Sequence, residues 1–117
     1  MLRPLTDAER AWVNTTLAKM TIEEKVGHLL CPDDQNYSVD EWLAIIKDVP
    51  LGSIFVGYND VTKTRAVLEA VHAANQQAGH PPLMIASDLE HGAGAMITEC
   101  TNFPFPMALG AAIAGGG

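Results

Sequence analysis

Basic charge is scarce in these 117 residues: Lys and Arg total 7 against 14 Asp and Glu, a formal net charge of -7 at pH 7. With so few cations and no run of them, the chain has no electrostatic footprint for a nucleic acid or an anionic membrane, and small neutral or cationic ligands fit better. Long hydrophobic runs are missing too. No apolar stretch approaches the ~18 to 20 residues of a membrane span, and the opening MLRPLTDAERAW has no apolar leader segment, so a cytoplasmic chain is expected. Cysteine is limited to Cys31 and Cys100, which lack metal-ligand spacing; reduced, partly buried thiols are expected, with a disulfide left open. Aromatic residues make up only 6%, yet 48% apolar and 18% charged content is that of an ordinary globular chain long enough for one small core.

What is present centres on residues 81–94, PPLMIASDLEHGAG. Residues 83–86 form an unbroken apolar run between prolines and a glycine-punctuated turn, which predicts a parallel strand covered on both faces. Asp88 stands where that strand ends. Chemistry in parallel α/β folds collects at the carboxyl ends of strands, so Asp88, Glu90 and His91 are the first candidate site. Taken by itself, Asp88 is either such a site residue or a cap on the turn that follows.

Around this strand the chain alternates helix and strand signals. Thr6 with Glu9, Thr21 with Glu24 and Ser38 with Glu41 are three capping boxes, predicting helices that start at each. The first, a leading helix within residues 1–19, aligns Ala8, Ala11, Trp12, Thr15 and Ala18 on one stripe; the third aligns Val39, Trp42, Leu43 and Ile46. Both tryptophans are therefore expected in the core. Residues 29–31 read as a short first strand stopped by Pro32, and 33–37 as a polar loop. Residues 51–56 read as a second strand, ending in the loop Gly57, Tyr58, Asn59, from which Tyr58 and Asn59 could reach the site. Asp60 or Thr62 caps the next helix, with Val67, Ala70, Val71 and Ala74 buried and Gly79 as its stop. Strand, helix and strand over residues 52–88 make one βαβ unit, which requires a parallel pair. Residues 89–106 read as a long loop over the carboxyl end of the sheet. Residues 107–114 could open another helix, and 113–117 close the chain as a flexible tail.

Four pieces in order resemble the amino-terminal domain of family 3 glycoside hydrolases, a family of β-glucosidases and β-N-acetylhexosaminidases. Met20-Thr-Ile-Glu-Glu-Lys-Val-Gly27 is similar to its opening helix, and Leu51-Gly-Ser-Ile-Phe-Val-Gly57 to its next strand. Pro82-Leu-Met-Ile-Ala-Ser-Asp-Leu-Glu-His-Gly92 is similar to its substrate-contacting strand and turn, and Thr101-Asn-Phe-Pro-Phe-Pro-Met-Ala-Leu-Gly-Ala-Ala112 to the segment that follows. The resemblance implies the first part of a (β/α)8 TIM-type barrel, with parallel strands inside and helices outside, from a retaining exo-acting β-glycosidase. It also implies that Asp88 accepts hydrogen bonds from hydroxyls of the sugar being cleaved, a role suited to an acceptor-only carboxylate.

The family's nucleophile and acid/base lie later than any residue here, so no catalytic residue is expected in these 117. Asp88-Leu-Glu-His-Gly92 mixes an Asp-x-Glu-Gly-Gly pattern with an Asp-x-x-His-Gly pattern, which leaves glucosides and N-acetylglucosaminides both open as substrates. Glu90 is expected to bond loop amides; His91 is a candidate substrate contact whose plainer alternative is a hydrogen-bonded loop residue, and a metal ligand is not expected. His28 and His72 have no expected role. Neither metal nor organic cofactor is required. A complete barrel takes about 250 residues, and the family-like stretch gives way to glycines ending at Gly117, so the expectation is a single partial domain, either a piece of a longer enzyme or an inactive relic. The rival to the enzyme reading is a sugar-binding or self-associating module with an uncovered barrel edge.

Overall fold

A computed structural model describes residues 3–33 and 37–115. Its elements run α1 (Asp7–Lys19), α2 (Ile22–Gly27), α3 (Val39–Asp48), β1 (Ser53–Phe55), β2 (Asn59–Asp60), α4 (Val61–Gln77), β3 (Met84–Ala86), a 3-10 turn (Ala93–Ala95), β4 (Ile97–Thr98) and α5 (Pro106–Ala114). The chain is an α/β protein with short parallel strands. All three capping boxes form, each side-chain oxygen taking the N3 amide while the N3 glutamate returns to the cap amide, which satisfies amides that helix starts leave without partners. At the first box the Arg3 guanidinium also bonds Glu9, holding its carboxyl down at about 2.

The βαβ unit stands as expected. β1 and β3 pair in parallel, Ser53 with Met84, Ile54 with Ile85 and Phe55 with Ala86, and α4 crosses between them. Asp60 is the cap of α4, its Oδ1 accepting the Lys63 amide at 2.7 Å, and Gly79, at φ +77, follows the last turn. The core lies where α3 and α4 cover this pair: Trp42, Ile46, Leu51, Ile54, Val56, Val67, Val71 and Leu83 are all buried. Asn75 is buried with them, and its Nδ2 donates to the Pro81 carbonyl at 2.7 Å, tying the end of α4 to the start of the β3 segment.

Five expectations are corrected. Residues 29–31 are not a strand, because the Leu29 and Leu30 amides bond back to Val26 and Gly27 and extend the helical turn. Pairing starts at Pro32 instead, whose carbonyl accepts the Phe55 amide at 2.9 Å, with Asp33 bridged to Phe55; proline lacks an N–H but keeps its acceptor. Trp12 is 58% exposed and α1 buries nothing. A stripe on a helix marks what it offers, and among the described residues no surface packs closely enough on α1 to bury it. β3 is not covered on both faces: Met84 is 68% and Ile85 41% exposed, and as neighbours along the strand they point to opposite faces, so neither face of β3 is fully covered, while Leu83 just before it is buried. Residues 89–106 are no plain loop, for they hold the 3-10 turn and β4, which pairs in parallel with β2. The expected flexible tail at 113–117 is also shorter: α5 runs through Ala114, Gly115 caps it, and residues 116–117 lie outside the described residues, as do 34–36 of the expected polar loop. Both cysteines are free, Cys31 exposed and Cys100 partly buried.

Candidate functional site

The register of β1 and β3 decides what sits at their carboxyl edge. Beyond the last paired row, Val56 donates its amide to the Ala86 carbonyl at 2.8 Å, and the Ser87 hydroxyl donates to the Val56 carbonyl at 2.7 Å. The pair therefore stays joined until the residue before Asp88. Past that point Asp88 is exposed, and among the described residues its carboxylate takes no hydrogen bond and caps no helix. The cap alternative thus has no support, and the carboxylate keeps its acceptor capacity unspent.

On the neighbouring strand the turn of residues 57–60 is held from three sides. Asn59 is buried and donates from Nδ2 to the Gly57 carbonyl at 3.0 Å, Asp60 is engaged at the α4 cap, and Met96 packs beside Gly57, where an added Cβ would stand 3.0 Å from its Sδ. Tyr58, 66% exposed, takes φ 60, an uncommon conformation for a non-glycine residue that persists where the surroundings over-determine it. Tyr58 and Asp88 therefore leave adjacent parallel strands at the same edge.

His91 is engaged on one side. Its Nδ1 bonds Asn102 Oδ1 and its ring lies 4.3 Å, centroid to centroid, from Phe105. The backbone follows the same path: the Phe103 amide donates to the His91 carbonyl and the Gly94 amide to the Thr101 carbonyl, both at 2.7 Å. This clasp needs Gly92, at φ +107, where a Cβ would meet the Thr101 carbonyl oxygen at 2.6 Å. His91 is thus a hydrogen-bonded loop residue, as its sequence context suggested, and it fastens the segment directly after Asp88. Glu90 is exposed, and among the described residues its carboxylate bonds no loop amide, a correction to its expected role: the Gly92, Gly94, Ala95 and Met96 amides already donate to backbone carbonyls. Sequence reasoning missed Asn102, Phe105 and Met96. The one signal pointing to them was the Gly92-Ala-Gly94 spacing, which marks close backbone approach without naming the partner.

Chemically the edge offers an acceptor-only carboxylate, a phenol and an open approach. Among the described residues no three His, Cys, Asp or Glu side chains are placed to hold a metal ion, and no helix is long and apolar enough to cross a membrane. Residues 21–114 match the family described as the glycosyl hydrolase family 3 N terminal domain. The chain is similar to a beta-N-acetylglucosaminidase/beta-glucosidase of Cellulomonas fimi, with 35% identity over 109 residues, 92% of this chain and 18% of that protein. No solved structure matches it. The four motifs, the strand-end aspartate and these matches lead to one conclusion: the chain belongs to glycosyl hydrolase family 3.

Proposed function

We propose that these residues form the opening strands and helices of a (β/α)8 barrel in a retaining β-glycosidase. Asp88 is its sugar-binding carboxylate, and the nucleophile and acid/base come from outside these 117 residues. The substrate is a β-linked glucosyl or N-acetylglucosaminyl residue at a non-reducing end, in keeping with the relative's double activity and with the mixed Asp88-Leu-Glu-His-Gly92 motif. Retaining hydrolysis needs two carboxyl groups ~5 to 5.5 Å apart, and Asp88 is assigned to holding hydroxyls, with Tyr58, Glu90 and His91 as further contacts. The observation that carries this reading is the exposed, unbonded Asp88 carboxylate at the carboxyl edge of a parallel βαβ unit.

Amide shifts of the ¹⁵N-labelled chain on titration with glucose and N-acetylglucosamine test it. Shifts at residues 57–59 and 87–91 are expected, and Asp88→Asn weakens binding roughly tenfold or more, the loss of hydrogen bonds to a charged acceptor. Shifts confined to other residues, or an unchanged affinity in Asp88→Asn, overturn the assignment. Aryl β-glucosides and aryl N-acetyl-β-glucosaminides are expected to show no turnover with this chain, and turnover that persists through purification places the catalytic pair inside it.

A second reading, a self-associating module without turnover, is favoured by α5, where Met107 is 86%, Leu109 63% and Ile113 71% exposed. A helix that exposes large apolar side chains on more than one face is of the kind ordinarily buried against another surface. Sedimentation is expected to show association that rises with concentration and is lost in Leu109→Lys; a monomer at all concentrations rejects this reading.

A further inference from the structure

The amino-terminal helices meet the sheet at His28. This residue follows α2 as its cap, donating its amide to the Glu24 carbonyl at 3.0 Å. Its main chain lies directly on Gly52 at the base of β1, where an added Cβ would stand 2.3 Å from the His28 carbonyl oxygen. The imidazole faces His80 in the turn between α4 and β3, with ring centroids 6.4 Å apart and planes at 68°. His80 is itself anchored by its amide to the Asn75 carbonyl at 3.1 Å, and its Nδ1 is 3.7 Å from Glu24 Oε1. Glu24 spends its other oxygen on the Thr21 amide of the α2 capping box. The Nε2 of His28 is shut off from solvent and, among the described residues, has no hydrogen-bond partner. Two further charges border this junction: Lys25 shares the groove that His28 lines under α1, and Lys19 lines the cleft with Glu24 and His80.

We propose that His28, packed against His80, forms a proton-operated latch between α2 and the α4–β3 turn, closed while the His28 imidazole is neutral and loosened when it takes a proton in mild acid. A neutral imidazole tolerates an enclosed, unbonded nitrogen at modest cost, but a protonated one brings a buried N–H and a charge with no acceptor. A proton on His80 finds Glu24, yet it also sets a like charge against His28, and Lys25 and Lys19 add to the local positive field. Burial first, and His80 second, hold the His28 imidazole below its ordinary range, against the opposing pull of Glu24. The sign follows from linkage: a histidine held neutral in the fold contributes stability that is present above its ordinary value of about 6.5 and lost as pH falls below it. The element at stake is the α1–α2 arm. The α3–α4 core has its own buried side chains and no part in the latch.

Hydrogen exchange of the 117-residue chain at pH 7.5 and 5.5, corrected for intrinsic rates, tests the latch. Opening at residues 22–30 is expected to rise roughly five- to tenfold at the lower pH, the effect of one proton taken up on opening, with no matching change at Val67 and Val71 in α4. His28→Gln is expected to remove this pH dependence and His80→Gln to reduce it. Equal loss of protection in α4, or a wild-type profile in His28→Gln, overturns the proposal. An NMR titration of the unsubstituted chain gives an independent reading, since His28 is expected to take its proton below pH 6.5, and protonation at or above that value overturns it too. Neither measurement involves sugar, so either result leaves the role of Asp88 untouched.

Discussion

Gly52→Ala is expected to destabilise the chain by about 3 kcal/mol, at the upper end of what overpacking costs. The added methyl would stand 2.3 Å from the His28 carbonyl oxygen, 2.7 Å from its Cα and 2.8 Å from its carbonyl carbon. All three are backbone atoms, so no side chain can swing aside; either β1 or the end of α2 must move. β1 carries Ile54, which is fully buried, and its register with β3 sets the edge where Asp88 emerges. A shift at Gly52 therefore propagates into both the core and the candidate site. Urea denaturation followed by far-ultraviolet circular dichroism gives the number. The matched control is Gly110→Ala in α5, where an added Cβ meets nothing within 4 Å; there alanine is expected to stabilise the helix by roughly 0.5–1 kcal/mol. A loss below about 1 kcal/mol for Gly52→Ala would contradict the close contact between α2 and β1.

Trp42→Ala is expected to cost about 3–5 kcal/mol, the range for emptying a large aromatic site in a core. Trp42 is fully buried among the α3, α4 and β1 residues of the core, and Tyr37 meets its ring edge-on at 5.4 Å. Folded domains have only about 5–15 kcal/mol in total, so this one substitution removes a large share. Trp12→Ala, by contrast, is expected to change stability by no more than about 0.5 kcal/mol, because a surface side chain away from special features leaves little to lose. Thermal or urea denaturation of the two variants side by side checks the contrast, and equal losses would mean that α1 packs more tightly than its exposure indicates.

The two tryptophans show where the sequence is a good guide and where it stops. Each lies on an apolar stripe at helical spacing, and period alone treats them alike. What separates them is whether an opposing surface exists at the right place: the crossover helix α4 supplies one for α3, and nothing among the described residues does so for α1. The same limit applies to β3. Its continuous apolar run correctly marks a strand of a parallel pair, but coverage of both faces depends on neighbours that a local pattern does not encode. Residues 29–31 failed for a different reason. Two leucines before a proline suit a strand, yet their amides were already committed to the preceding helical turn.

The site divides in the same way. Asp88 at a strand end was legible, because a carboxylate directly after an apolar run and before glycines is a local pattern, and the family motifs reinforced it. The partners of the following turn were not. Asn102 and Phe105 reach His91 across the whole of the 3-10 turn and β4, a separation at which single-residue propensities carry no information. His28 was passed over for a related reason: a histidine's consequence lies in what encloses it, and Gly52 and His80 come from distant parts of the chain.

The sequence by itself determined the elements whose causes are local: three helix starts set by reciprocal capping pairs, the stop at Gly79, the βαβ unit, and membership of the glycosyl hydrolase family 3. Capping bonds span three residues, and a crossover of this length admits only a parallel return, so neither needs knowledge of the rest of the molecule. Only the tertiary structure decided which apolar stripes are buried, that Asp88 stands exposed and unbonded while His91 is fastened to Asn102, and that His28 is enclosed against His80. Each of these depends on which surfaces meet, and burial and close packing are settled between segments far apart in the chain.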